Sequence, residues 1–286
     1  MDATRPPEST SALTDAALTA EAQRLVGEFA LIKPSLTAAA VGAALVTDAG
    51  HLYTGINLDL ACGIGSTLRA VGPHLPPRQN WRLVDNNLSL LAQVAKPTGL
   101  PQLSVITRPV DLVRDLELAL DGPLDLVTAS ALLDLVSAEW LDRLIIEAAA
   151  RRLPVYAALC YDGRTVTDPA AVFDAELLAG FNLHQRTDKG FGPALGPRAA
   201  ARAVERFEHF GYSVVQGRSD WVFGPDDRAI QETLFADWAG LGALTTTLSA
   251  DEIARWLAQR RACLAQGRST LRVGHVDIFA RPTGMR

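Results

Sequence analysis

From Ile56 onward, short apolar runs alternate with longer helical stretches, and this alternation constrains the fold more than any other feature of the sequence. Parallel neighbouring strands need a long connection, usually a helix, so the pattern is typical of a parallel sheet with crossover helices. The sequence therefore predicts an α/β, Rossmann-like, doubly wound fold. The apolar runs predict strands at 56–61, 81–85, 103–107, 124–130 and 155–161, with helices near 66–71, 87–95, 111–120 and 137–150.

The C-terminal part adds a different kind of strand pair. Apolar runs at 212–221 and 274–280 predict two antiparallel strands, and helices are expected at 199–210 and within 231–266. The last strand is thus expected to run antiparallel to the rest of the sheet.

The N-terminal part departs from the alternating pattern. Residues 1–12 are rich in Pro, Ser and Thr and predict a mobile tail. Residues 13–55 predict a helix that begins near Thr14, followed by a hairpin around the turn signal Asp48-Ala-Gly50. Residues 56–286 then form the main domain.

Composition and net charge indicate which classes of ligand the protein can bind. The net charge is −5 and no long basic stripe is present, which disfavours nucleic acid and favours small molecules. Three widely spaced cysteines and no secretory signal favour a reducing cytoplasm, and the early apolar run 36–46 is too short to span a membrane. We expect a cytoplasmic protein with no membrane contact.

A glycine pair follows the first predicted strand, in Asp59-Leu-Ala-Cys-Gly-Ile-Gly-Ser66. Glycines at such a strand-to-helix turn let a ligand approach the backbone. A dinucleotide fingerprint needs a third glycine where Leu68 stands, so NAD is disfavoured. S-adenosylmethionine has no phosphate and carries positive charge, which a carboxylate at Asp59 suits. The candidate cofactor residues here are Asp59, Ala61, Cys62, Gly63 and Gly65; a surface turn at a helix start is the alternative.

Polar residues follow the next strands as well. Asp85, beside Asn86, is placed to accept hydrogen bonds from both ribose hydroxyls of a nucleoside. Asp111 is a candidate for the adenine amino group, and Ser130 for the methionine end of the cofactor. Helix capping is the alternative for Asp85 and Asp111, and a buried strand that leads into a capped helix for Ser130.

The segments LDLACGIGS, WRLVDNN and DLVTASALLDLVS together resemble the successive motifs of class I S-adenosylmethionine-dependent methyltransferases, over roughly residues 56–282. The resemblance implies a seven-stranded sheet with an antiparallel last strand, and a cofactor across the ends of the first, second and fourth strands. It implies a methyltransferase, and the charge of the chain favours a small-molecule acceptor. Oligomeric state stays open.

Upstream, residues 37–57 resemble the start of a cytidine or blasticidin-type deaminase. Zinc deaminases need a His or Cys followed by Ala-Glu, and a later Pro-Cys-x-x-Cys, to hold the metal and move protons. Neither motif is present in the sequence, so no metal is expected. A zinc-dependent deaminase is thus the third hypothesis, behind a catalytically degenerate protein that binds S-adenosylmethionine without turnover.

The acceptor side is predicted from residues 182–196, whose charges and helix breakers favour an irregular loop near the carboxyl edge of the sheet. His184 is a candidate base, and Arg186 and Lys189 are candidates for holding an anionic group. Tyr161, at the end of the fifth predicted strand, is a candidate for orienting the acceptor. The alternatives are solvated loop residues and, for Tyr161, turn formation.

Overall fold

The computed structural model of the protein describes residues 53–284, so the predicted tail and N-terminal helix, and most of the predicted hairpin, lie outside the described residues. Within that range the strands are β1 (Ile56–Leu60), β2 (Arg78–Asp85), β3 (Gln102–Pro109), β4 (Leu126–Ser130), β5 (Val155–Asp168), β6 (Tyr212–Arg218), β7 (Trp221–Phe223) and β8 (Thr270–Pro282). The helices are α1 (Ser66–Val71), α2 (Leu88–Leu91), α3 (Leu116–Leu120), α4 (Ala138–Ala150), α5 (Asp174–His184), α6 (Ala199–His209), α7 (Arg228–Thr245) and α8 (Ala250–Ala265).

The strands form one mixed sheet in the order β3-β2-β1-β4-β5-β8-β6, with β7 pairing to β8. Strands β1 to β5 pair in parallel, while β8 is antiparallel to β5, β6 and β7. The predicted Rossmann-like fold with an antiparallel last strand is therefore confirmed. Within the described chain the sheet has eight strands rather than seven, because the predicted run 212–221 is divided into β6 and β7, which both pair with β8.

Both faces of the sheet are covered, because alternate strand residues point to opposite sides. On one face Leu58, Leu60 and Val127 pack with the buried residues of α3, α4 and α6. On the other face Leu83 and Leu126 pack with α1 and α2. The doubly wound arrangement leaves the strand ends as the place where loops can form a site.

A second hydrophobic core lies beyond the far ends of β5 and β8. The part formed by α5, α7, α8, β7 and these strand ends is called the helical lobe. Its buried residues include Phe235, Trp238, Trp256, Leu271 and Val273. Within the lobe the nearly fully buried Arg260 forms an ion pair with Asp174. Strand β8 contributes to every cluster, with Ile278 and Phe279 on the two faces of the sheet and Leu271 in the lobe.

Several predicted boundaries are wrong; the last strand, for example, spans Thr270–Pro282 instead of 274–280. The fifth strand continues to Asp168 instead of ending at 161, with irregular register between Ala157 and Cys160 and again between Tyr161 and Thr165. The predicted helix 111–120 begins only at Leu116, because Asp111 starts a separate turn in which its carbonyl accepts from the Arg114 amide. The predicted helix 87–95 ends at Leu91.

Candidate functional site

The glycine loop joins β1 to α1 and bends back against β2. The Cys62 amide donates to the Val84 carbonyl over 2.9 Å, and the Gly65 amide donates to the Cys62 carbonyl over 2.8 Å. Gly63 has a φ of +53° and Gly65 a φ of +81°, in the left-handed region that glycine adopts at little cost. A Cβ built on Gly63 would meet no heavy atom within 4 Å, so the loop presents open space at this point.

Asp85 ties the glycine loop to the tip of β2. Its carboxylate accepts from the Gly63 amide and from the Asn87 amide, both over 2.9 Å, and the residue is only 4% exposed. The helix that follows is capped by Asn87, whose side chain accepts from the Ser89 and Leu90 amides, so Asp85 is not the cap. Asp85 thus brings Gly63 and the second strand tip together, as the predicted cradle requires.

Asp59 is completely buried near the end of β1. One carboxylate oxygen accepts from the Thr128 hydroxyl over 2.7 Å, and the other has no hydrogen-bond partner among the described residues. Burial raises the pKa of Asp59 to about 7, although the Thr128 hydroxyl and the neighbouring Thr67 hydroxyl both favour the ionised form. A buried acid with an unsatisfied oxygen is suited to a ligand that brings positive charge or a hydrogen-bond donor.

The remaining candidate cofactor residues lie along the same edge. Ala61 and Cys62 belong to the glycine loop, and Asn86 is exposed directly after β2. Asp111 follows β3, with its carboxylate accepting from the Val113 amide over 3.0 Å. Ser130 ends β4, one residue beyond Ala129, which pairs in register with Leu60. The structure therefore brings all nine predicted cofactor residues to the carboxyl ends of β1 to β4.

Tyr161 does not lie at a strand end. It stands inside β5, it is 5% exposed, and its hydroxyl donates to the Asn182 side chain over 2.7 Å. Burial raises the pKa of Tyr161, so the phenol stays protonated and acts as a donor. The side chain joins the sheet to α5.

The predicted loop 182–196 is partly helical, because α5 extends to His184. The sequence did not predict α5. The Lys189 ammonium lies 3.2 Å from Nδ1 of His184 and 3.1 Å from the Thr187 hydroxyl, so these three side chains form one polar cluster. The rest of the loop is irregular, as predicted.

This loop packs against the start of α4, at the carboxyl edge of the sheet. The Leu195 amide donates to the Val136 carbonyl, and the Phe191 ring meets the Trp140 ring edge to face at 5.4 Å. Beside it lies a cleft of about 440 Å³, and Arg186 is among its lining residues. Arg186 therefore lies near the carboxyl edge of the sheet, and its role in binding stays a prediction.

Sequence reasoning missed Asp134, which lies in the loop between β4 and α4. Its side chain is buried, and one carboxylate oxygen has no hydrogen-bond partner in the described part of the chain. Burial raises the pKa of Asp134 to about 7, although the amides of Asp134 and Tyr161 stabilise its ionised form. The only sequence signal was its position four residues after the strand end at Ser130, inside an otherwise apolar run.

The described residues hold neither a group of side chains suited to a metal ion nor a helix suited to a membrane. Between residues 53 and 284, no group of three or more His, Cys, Asp or Glu side chains is arranged to hold a metal ion. Over the same range, no helix has the length and apolar character needed to cross a membrane. The three cysteines are unbridged and buried.

No protein-family model matches the chain, and no curated protein matches it. Similar solved structures include a cyclopropane-fatty-acyl-phospholipid synthase-like protein from Lactobacillus casei, at 16% identity and a TM-score of 0.46, covering 91% of this chain and 98% of that one. A cyclopropane synthase from Mycobacterium tuberculosis has 11% identity and a TM-score of 0.42, covering 85% and 83%. An S-adenosylmethionine-dependent methyltransferase from Thiobacillus denitrificans, in complex with S-adenosylhomocysteine, has 18% identity and a TM-score of 0.37, covering 85% and 90%. These likenesses are distant, and the strand order by itself identifies the fold.

Proposed function

We propose that this protein is an S-adenosylmethionine-dependent methyltransferase that acts on a small-molecule acceptor. The observation that carries the proposal is the unsatisfied oxygen of buried Asp59, beside a glycine loop with open space at Gly63. A cationic nucleoside with no phosphate fits this combination, because it brings positive charge and needs no amide cradle for a pyrophosphate. When bound, the cofactor supplies an electrophilic methyl group.

The residues that would hold the cofactor act in different ways. Asp59 offers a buried carboxylate to the cationic end. Asp85 holds the loop through the Gly63 amide and keeps lone pairs for the ribose hydroxyls. Asp111 and Asn86 stand where the adenine and ribose would lie, and Ser130 stands on the methionine side. Each of these assignments is part of the proposal.

On the acceptor side, Arg186 binds an anionic group from the edge of the cleft, and Lys189 acts together with His184 and Thr187. Where methylation requires the acceptor hydroxyl or amine to lose a proton, His184 accepts that proton. Tyr161 is a positioning residue, since its hydroxyl holds Asn182 of α5. Alignment of acceptor and methyl supplies much of the rate enhancement in this type of displacement.

Calorimetric titration with S-adenosylmethionine tests the proposal. We expect saturable binding that Gly63→Ala weakens at least tenfold, since the added methyl occupies the open space of the loop. Gly267→Ala is the matched control, because Gly267 has a φ of +63° and likewise no neighbour within 4 Å of a built Cβ. No binding by the unaltered protein, or equal losses in both variants, would refute the placement.

Turnover separates the enzyme from the degenerate binding protein. Mass spectrometry of ligands that copurify with the protein identifies candidate acceptors, and S-adenosylhomocysteine release is then measured with each. Binding without release for every candidate would favour the degenerate protein.

A further inference from the structure

The cleft beside Arg186 lies between the first turns of two long helices. Helix α4 follows β4, so it begins at the carboxyl edge of the sheet. Helix α6 precedes β6, which is parallel to β5 because both are antiparallel to β8, so α6 also begins at that edge. The cleft is lined by Ala138 at the start of α4 and by Arg198 directly before α6. Both helix dipoles place partial positive charge there.

Two arginines with no carboxylate partner among residues 53–284 line this cleft. Arg186 and Arg198 form no ion pair among the described residues, whereas Arg202 and Arg206, further along α6, both contact Asp142 at 3.7 and 2.7 Å. An arginine left unpaired at a concave surface keeps its fork of donors available for a carboxylate or phosphate. The difference between neighbouring arginines points to a ligand with negative charge.

The other lining residues define the rest of such a ligand. Leu183 and Leu195 give the cleft apolar walls, which suit a carbon skeleton. Glu139 is the single carboxylate among the lining residues, so the lining carries a net positive charge. A small hydrated inorganic ion would leave the apolar walls unused.

We propose that this cleft binds the oxyanion group, carboxylate or phosphate, of an acceptor that also has an apolar body, with Arg186 and Arg198 as the two binding side chains. This inference rests on the proposed function for the identity of the ligand as the methyl acceptor. It adds Arg198 to the site and defines the chemical class of the acceptor.

Three probes that share a six-carbon alkyl chain test whether the ligand must be charged: hexanoate, hexyl phosphate and hexanol. Each is titrated into the protein while amide chemical shifts are followed by NMR. We expect both anions to bind saturably and hexanol to bind at least tenfold more weakly. Arg186→Gln and Arg198→Gln each weaken anion binding about tenfold, as loss of a charge-assisted hydrogen bond implies. Glu139→Gln strengthens it, because a repelling carboxylate is removed.

Arg202→Gln is the matched control, since it removes the same charge four residues further along, inside α6 and outside the cleft. Equal weakening by Arg198→Gln and Arg202→Gln would overturn the inference, because it would show general surface attraction. Equal binding of hexanol, or no anion binding, would overturn it as well. S-adenosylmethionine is titrated into the unaltered protein and into every variant. If the unaltered protein binds the anions but not S-adenosylmethionine, the methyltransferase proposal is refuted and the anion site remains supported.

Discussion

At the tips of β1 and β2, buried acids accept hydrogen bonds from the Thr128 hydroxyl and from two backbone amides, whereas the region beyond β4 and β5 exposes arginines with no carboxylate partner in the described chain. Asp59 is fully buried and Asp85 nearly so, while Arg186 and Arg198 face solvent. Hydrogen bonds within the protein therefore tie the first region together, while the second offers cationic donors to solvent. This difference fits the two proposed ligands, a cationic cofactor at the first region and an anionic acceptor at the second.

The largest expected effect concerns the rigidity of the first region. Asp85→Ala leaves the amides of Gly63 and Asn87 without acceptors, and we expect a loss of about 3 kcal/mol in the free energy of unfolding. Urea denaturation measures it. Asp111→Ala is the control, because Asp111 is 42% exposed and accepts from a single amide. Equal losses would show that the glycine loop is not held by Asp85.

The next effect concerns Asp134, the buried acid nearest the second region. Its folded pKa of about 7 lies above its unfolded value near 4, so its contribution to stability is full below pH 4 and is lost as pH rises through 7. As pH rises from 5 to 7, we expect the free energy of unfolding of Asp134→Asn to increase by about 2 kcal/mol relative to that of the unaltered protein.

Urea denaturation at several pH values checks this slope. Asp174→Asn is the comparison: burial alone would raise its pKa, but hydrogen bonds from the Ala171 amide and from Trp256, Thr167 and Arg260 lower it. Its stabilising effect is therefore complete above pH 5 and lost only in acid, so its difference from the unaltered protein stays flat over the same range. A flat profile for Asp134→Asn would show that its carboxyl is not held protonated.

A third effect links Asp59 to the proposed cofactor. Because burial raises the pKa of Asp59 to about 7, a bound cation favours the ionised form and releases a proton. We expect affinity for S-adenosylmethionine to rise roughly tenfold per pH unit from pH 5.5 toward pH 7. Calorimetry in two buffers of different ionisation enthalpy measures the released proton. In Asp59→Asn the affinity should be lower and its dependence on pH much weaker. An unchanged pH profile would show that Asp59 does not bind the cofactor.

The smallest effect tests whether the loop positions the second region. Phe191→Ala removes the edge-to-face contact with Trp140, which contributes about 1 kcal/mol, while both arginines stay in place. We expect a small loss of stability and weaker hexanoate binding. Phe210→Ala, at the opposite end of α6, should leave hexanoate binding unchanged. Unchanged binding in Phe191→Ala would mean that the loop position is irrelevant to the cleft.

The predictability of the two regions differs for a physical reason. The parallel strands were found because buried strands are short apolar runs, and the glycine loop because φ values of +53° and +81° favour one residue type. Helix α1 was predicted with its observed bounds, Ser66–Val71. These features are local in the sequence, so the strands and the glycine loop of the first region could be predicted, although the helix after β2 ends four residues earlier than predicted.

The second region depends on tertiary contacts that leave weak signals. Helix α5 was missed because its apolar residues surround the helix, with Leu177 buried and Leu183 57% exposed, so no single-face pattern emerges. The extension of β5 carries the exposed Val166 and is held by its pairing with β8. Arg198 and Asp134 are ordinary charged residues in the sequence, and only the fold shows that Asp134 is buried and that Arg198 forms no ion pair within residues 53–284.

The placement of β8 has a consequence for synthesis of the protein. Its residues Leu271, Ile278 and Phe279 complete three separate clusters, one in the helical lobe and one on each face of the sheet. A ribosome must therefore release nearly the whole described polypeptide before these three cores can be completed, so part of their apolar surface stays exposed until late in synthesis.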